Sequence, residues 1–506
     1  MRSMRTPLLF SALVVASCGL VYELVAGTLA SYLLGDSVTQ FSTIIGAYLF
    51  AMGIGSWLSR YIDGSLVDNF VRVEIVLGLI GGFSAAILFL VFGEVSHFRV
   101  ALYSLVGLIG VMVGLEIPLL LRILQNEYAL ADLVARVLAA DYVGALIASL
   151  LFPLLLVPRL GLIRTSFLFG LLNVAVAWVL LLRPSQEPRT ALRFAGRHRL
   201  SACAAMVLLV GGFAYADDIM AVSEEGQYPG QAVFSKSTPY QRIVVTREAD
   251  DIRLFLNGNL QFSSRDEYRY HEALVHPLMA EVAHPRQVLV LGGGDGLAVR
   301  EILKYPSVES ITLVDLDPEV TSLFTRTPFL SALNDGALRS GKVHVINADA
   351  FVWLQSAHDI YDAVIVDFPD PSNYSIGKLF TLTFYRRLSA VLASDGWAVI
   401  QSTSPYVARK AFWCVAHTVA AAGLTPAAYH VFVPSFGEWG FVLAGHGAFN
   451  LPTLLPKDLR YLTPAVLQQM FAFPPDMDSV PTEVNRLDNQ VLVRYFETEW
   501  AHYLSE

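Results

Sequence analysis

Charged residues are scarce in this chain of 506 residues: Asp, Glu, Lys and Arg make up 16% of it, whereas soluble globular domains carry about 25%. With 54% apolar residues and a mean hydropathy of +0.51, a wholly soluble reading is untenable. A membrane part joined to a soluble part is the simplest division. Cysteine is scarcer still, for Cys18, Cys203 and Cys414 stand far apart with no CxxC and no Cys/His cluster. That speaks against a disulfide framework and a structural zinc site. A basic excess is also missing: 35 Lys and Arg against 44 Asp and Glu leave a charge of −9, so no positive field exists to hold nucleic acid.

Long apolar runs dominate the first part. Seven of them, near 8–34, 38–59, 73–93, 99–121, 137–158, 161–182 and 200–216, are long enough, or nearly so, for the roughly 20 helical residues that cross a bilayer. The first carries Glu23 and is followed by further spans, so it reads as a helix rather than a cleaved signal. Small residues recur (Gly46, Gly53, Gly55; Gly78, Gly81, Gly82; Gly107, Gly110, Gly114), a composition that lets helices approach closely in lipid. Residues 1–219 are therefore expected to form a multi-pass bundle in a membrane. Glu23, Glu74, Glu116 and Asp141 lie in or beside these runs. A charge at such depth costs at least ~2.5 kcal/mol, so these residues make interhelical hydrogen bonds, sit near the interface, or form a polar path or cation site.

Arginines set an orientation by the positive-inside rule. An internal N-terminus places Arg2, Arg5, Arg60, Arg72, Arg122, Arg136, Arg183, Arg189, Arg193, Arg197 and Arg199 inside, and Arg99, Arg159 and Arg164 outside. If the run at 200–216 crosses, the odd number of spans delivers the C-terminal part to the external, periplasmic face.

From about residue 228 the pattern alternates as strands do, in Gln241–Thr246 and Ile252–Leu256, and 228–284 reads as a small β domain. In 285–449, apolar strands (Gln287–Leu291, Ile311–Leu316, Val343–Ile346, Ala363–Val366, Trp397–Ile400) alternate with helical stretches, the signature of a doubly wound, parallel, Rossmann-like α/β sheet. Residues 450–506 read as a helical tail packed on that domain. The first strand ends in Gly292-Gly293-Gly294-Asp295-Gly296, and Asp315 closes the second where an acidic residue grips ribose hydroxyls. Asp295 in the loop would repel a pyrophosphate, which favours a nucleoside with a positively charged tail, such as a sulfonium. Asp349, Asp367 and Asp370 end the next strands, so Asp295, Asp315, Asp349, Asp367 and Asp370 should meet in one cation-seeking crevice. No histidine joins them at metal-ligand spacing.

These residues, with Tyr240-Gln241, Leu256-Asn257-Gly258 and Gln261, Asp266-Glu267-x-x-Tyr270-His271-Glu272 and Pro434–Phe441, resemble the spermidine synthase family of aminopropyltransferases in its membrane-fused bacterial form. The resemblance implies transfer of an aminopropyl group from decarboxylated S-adenosylmethionine to a diamine, putrescine above all, giving spermidine and methylthioadenosine with no further cofactor and no metal. It implies Asp367 as base with Tyr270 orienting the attacking amine, and Gln241, His271 and Asp370 at the acceptor. Gly292, Gly294, Asp295, Asp315, Asp349 and Ala350 fall to the donor. It also implies an assembly of two or more copies and the bacterial inner membrane. The chain departs from the family pattern at Ser372–Lys378, where Lys378 adds positive charge near the diamine site, and at Phe436, which replaces a tyrosine. Two other readings fit parts of the same residues: a polyamine transporter or sensor with an enzyme-like domain, and a methyltransferase using S-adenosylmethionine.

Overall fold

The computed structural model describes residues 5–34, 37–92, 95–125, 128–182, 190–224 and 228–505, and the chain divides into two compact units, Met1–Pro229 and Gly230–Glu506.

Among the described residues, seven long helices build the first unit: α1 (Arg5–Leu34), α2 (Ser37–Leu58), α3 (Leu66–Val91), α4 (Val95–Leu124), α5 (Leu130–Leu151), α6 (Val157–Leu181) and α7 (Thr190–Ala214). Among the described residues, five helical stretches are long and apolar enough to cross a membrane: Leu9–Ser31, Thr39–Tyr61, Leu66–Val91, Phe98–Leu124 and Leu130–Leu181. Six of the seven expected runs fall within these stretches. The fifth and sixth runs lie in one stretch of 52 residues, broken by a π turn at Phe152–Leu156 and by Gly161 at φ 72°. Pro153 and Pro158 explain the break, because each removes an amide donor and crowds the preceding turn. The seventh run is the end of α7, whose first half carries Arg193, Arg197 and Arg199; these charges keep it out of the apolar set. Close approach is visible where the glycines cluster: a Cβ on Gly114 would meet the Met52 carbonyl at 2.2 Å, and one on Gly78 the Gly170 carbonyl at 2.8 Å. Gly46, Gly53 and Gly107 face open space.

In the second unit, β1 (Gln231–Ser237), β2 (Arg242–Glu248), β3 (Asp251–Leu256) and β4 (Asn259–Ser263) form an antiparallel sheet in that order. A helix, Glu267–Glu281, then leads into β5 (Gln287–Gly292), β6 (Ser310–Asp315), β7 (Val343–Asn347), β8 (Tyr361–Asp367), β9 (Leu392–Gln401), β10 (Thr425–Val433) and β11 (Gly437–Gly445). Their spatial order is β10-β11-β9-β8-β5-β6-β7. Strands β5 to β9 are parallel, while β10 and β11 run antiparallel, so the all-parallel sheet expected from the sequence is a mixed one. The reversal comes from a hairpin through Pro434-Ser435-Phe436, with Gly437 at φ 79°.

Central strands are buried on both sides, as parallel sheets require. Val288 and Val290 join one core with Ala363 and Ile365; Leu289 and Leu291 join the other with Val364 and Val366. Each such side chain contributes about 1.5–3 kcal/mol, which makes these strands a rigid base for the loops at their C-terminal ends. The last segment is tied to this base by polar contacts. The Glu272 carboxylate accepts the backbone N–H groups of Arg460, Tyr461 and Leu462 at 2.7–2.9 Å, and the buried Asn485 amide donates to the carbonyls of Gly377 and Phe380.

Candidate active site

Strand β5 pairs with β6 on one side and β8 on the other, so the chain order reverses at its end and a crevice opens there. Gly292 lies directly across from Asp367 at φ 84°. A Cβ on Gly292 would come 2.1 Å from the Asp367 carbonyl oxygen, and one on Gly294 2.7 Å from the Asp315 carboxyl. Glycine at these two positions therefore lets a backbone loop run between two aspartates.

Asp315 is fastened from both sides, since its Oδ2 accepts the Gly294 N–H at 3.1 Å and its Oδ1 the Asp317 N–H at 2.9 Å. Burial still outweighs those bonds and pushes its carboxyl up to about 6. Asp295 accepts the Leu297 N–H at 2.9 Å; burial raises it to about 6 as well, against the pull of the His271 cation. Asp349 caps the short helix Ala350–Trp353 through the Phe351 N–H at 2.9 Å. Asp349 also receives the Lys378 ammonium at 2.5 Å. The long Lys378 side chain thus reaches the carboxylate after β7.

On the other side of the crevice, the Tyr270 hydroxyl donates to Asp367 Oδ1 at 2.6 Å. Burial raises the Asp367 carboxyl, while the nearby His271 charge and the Tyr270 hydrogen bond draw it back. Asp370 is held by the Gln401 amide at 3.1 Å and the Thr403 hydroxyl at 3.3 Å, and burial takes it up to about 7. His271, also buried, pairs through Nδ1 with Glu267 at 2.9 Å. Burial alone would depress the imidazole, but the Glu267 carboxylate lifts it to about 9, so it is an imidazolium at neutral pH.

Gln241 stands in the connection between β1 and β2. Its amide donates to Asp317 Oδ2 at 3.1 Å, beside the Thr238 hydroxyl at 2.7 Å, and Asp317 in turn donates its N–H to Asp315. Gln241 therefore stands on the Asp315 side, and among the described residues no hydrogen bond joins it to His271, Asp367 or Asp370. Phe436 packs near Tyr270, ring centres 6.1 Å apart, in a loop fixed by Asp266, whose carboxylate accepts the Ser435 N–H at 2.7 Å and hydroxyl at 2.9 Å.

Several supporting residues escaped the sequence reading. Gln401 and Thr403 end the fifth parallel strand, and the strand-end rule that singled out the other aspartates would have reached them. Thr403 adopts φ 60°, a conformation unfavourable for a β-branched residue, with its carbonyl accepting the Gly440 N–H at 2.7 Å. Arg300 donates to both Glu267 oxygens at 2.9–3.0 Å. Among the described residues, no group of three or more His, Cys, Asp or Glu could hold a metal ion.

The family domain "Spermine/spermidine synthase domain" matches residues 267–448. A "Polyamine aminopropyltransferase" of Leptospira interrogans is 54% identical over 505 residues, covering 99% of this chain and 100% of that protein. The chain belongs to the polyamine aminopropyltransferase family. "Polyamine aminopropyltransferase 2" of Ralstonia nicotianae is 56% identical, with 97% of this chain and 98% of that one covered. Among solved structures, a spermidine synthase in complex with the transition-state analogue AdoDATO is 23% identical with a TM-score of 0.46, over 54% of this chain and 89% of that one. The similarity to the aminopropyltransferases runs through both units, and the enzyme is an aminopropyltransferase.

Proposed function

We propose that this aminopropyltransferase moves the aminopropyl group of decarboxylated S-adenosylmethionine to putrescine, giving spermidine and methylthioadenosine, and that the bundle holds the enzyme in the bacterial inner membrane. The observation that carries the reading is the hydrogen bond between Tyr270 and Asp367, set in a crevice where Asp295, Asp315 and Asp370 are half-buried. Clustered carboxylates drawn partly out of water attract cations, and both substrates are cationic.

In this reading Asp315 and Gln241 face the ribose, Asp349 and Ala350 the adenine, and Asp295 the donor's ammonium tail, with Gly292 and Gly294 leaving room for the nucleoside. Asp370 and His271 bound the acceptor end, His271 by setting the charge balance around Asp367. The free oxygen of Asp367 takes a proton from the acceptor ammonium, and the exposed nitrogen lone pair attacks the methylene carbon bonded to sulfur. As the C–N bond forms the C–S bond breaks, its electron pair passing to sulfur, so the sulfonium charge is replaced by that of the new secondary ammonium. The proton on Asp367 then leaves to solvent.

Mass-spectrometric analysis of products from the full chain with decarboxylated S-adenosylmethionine and a mixture of putrescine, cadaverine, agmatine and spermidine tests the acceptor. Spermidine and methylthioadenosine in equal amounts are expected; aminopropylation of another amine in preference would replace putrescine.

A further inference from the structure

Within the helical unit, a junction of four helices buries polar groups that aminopropyl transfer does not use. Glu74 of α3 and Asn173 of α6 are 0% exposed; Glu116 of α4 and Tyr22 of α1 are 1% exposed. The Glu74 and Glu116 carboxyls are hydrogen-bonded to each other. Beyond that contact, both Glu74 oxygens, Glu116 Oε1, the Tyr22 hydroxyl and both amide atoms of Asn173 find no hydrogen-bond partner among the described residues, and among those residues no ion pair supplies either carboxyl with a cation. Tyr22 is within electrostatic reach of both acids, its ring seated against α3 where a Cβ on Gly81 would collide at 2.4 Å. Asn173 backs onto Gly78, where a Cβ would lie 3.3 Å from that of Asn173, one turn along α3 from Glu74.

Each unsatisfied buried polar group costs about 1–3 kcal/mol, and two adjoining carboxylates in an apolar bundle cannot both stay ionised unpaired. One shared proton would still leave a negative charge and several open acceptors. A group with one positive charge and three N–H donors answers that deficit, with Glu74, Glu116 and the Asn173 carbonyl accepting and the Tyr22 hydroxyl and Asn173 amide donating to the remaining oxygens. We infer that this junction binds the primary ammonium end of a polyamine. The choice of an amine among cations rests on the proposed reaction, whose acceptor and product both end in such groups.

The test uses the full chain in lipid nanodiscs titrated calorimetrically with spermidine. Two classes of site are expected in the parent protein, one in each unit. Glu74→Gln/Glu116→Gln should abolish or weaken one class by at least about tenfold while aminopropyl transfer continues. Infrared difference spectra of the parent alone give a second readout: spermidine should remove a protonated carboxyl band that is absent from Glu74→Gln. A single class of site in the parent, unchanged titration in the double variant, or equal displacement by sodium against choline at matched ionic strength would each overturn the assignment. A parent protein that shows the bundle class and the infrared change yet transfers no aminopropyl group would overturn the reaction instead, and leave this site standing.

Discussion

Glu267 holds His271 and Arg300 at once, its Oε2 standing 2.9 Å from both the imidazole Nδ1 and the guanidinium. Burial opposes charge on Glu267, but its two partners keep the carboxyl below its ordinary range. In return Glu267 keeps His271 protonated, and the imidazolium lowers the Asp367 carboxyl. Glu267→Gln should release that hold. His271 becomes neutral near pH 7, Asp367 becomes easier to protonate, and the acid limb of the kcat profile moves to higher pH. Rates about tenfold down at pH 7 and largely restored near pH 9 are expected; an unmoved limb would separate His271 from the base.

Tyr270→Phe acts on the same carboxylate from the other side. The lost hydrogen bond had favoured the charged form of Asp367, so this limb too should shift upward, with the KM for donor unchanged. Steady-state kinetics over pH 6–9 checks both parts.

Asp370 yields a prediction about stability. Its carboxyl, drawn partly out of water, is raised to about 7 from about 3.9 in an unfolded chain. A folded-state value above the unfolded one favours the native state fully below about pH 4, and that benefit is lost as pH rises through about 7. Asp370→Asn keeps the Gln401 and Thr403 hydrogen bonds without the charge. The ligand-free variant should melt higher than the parent at pH 8, with the gain shrinking toward pH 4, while its KM for the diamine rises. Thermal melts across that range test the sign.

The Asp266 clamp on the loop carrying Phe436 separates acceptor from donor. Asp266→Ala removes the anchor of Ser435 and should raise the acceptor KM about tenfold or more, with the donor KM moving little. Equal changes in both would mean that the loop serves the whole crevice.

How far the sequence anticipated this architecture depends on distance along the chain. Gly292–Gly296 and the aspartates ending each parallel strand were legible because strand, loop and helix are neighbours in sequence. Glu267 and Arg300, 33 residues apart, meet only once their two helices pack together, and Gln241 and Asp317, 76 apart, only once the β layer folds against the main sheet; periodicity says nothing of such pairs. Lys378 was placed by its neighbours in sequence, while its flexible stem reaches Asp349. Strands β10 and β11 were missed because the pattern of alternating strand and helix, correct through β9, ends in a hairpin. The bundle was legible in its apolar runs, but the arginines at the start of α7 weigh against a seventh crossing.

That last point bears on the side of the membrane. The arginine count places the N-terminus inside, so crossing by the run at 200–216 decides which face carries the enzyme unit. In the external orientation expected from the sequence, alkaline phosphatase fused after Glu506 should be active and a fluorescent protein dark; the reverse pattern would mean that this run does not cross.

The most direct test of the central claim, that Asp367 takes the proton from the attacking amine, is single-turnover release of methylthioadenosine by Asp367→Asn from pH 6 to pH 10. At pH 7 the variant should be slower by about 10²–10⁴-fold, the range for loss of a general base. Its rate should then climb about tenfold per pH unit as the free amine supplies its own lone pair, narrowing the gap to the parent. A rate equal to the parent at pH 7, or a deficit that stays constant to pH 10, would contradict Asp367 as the base.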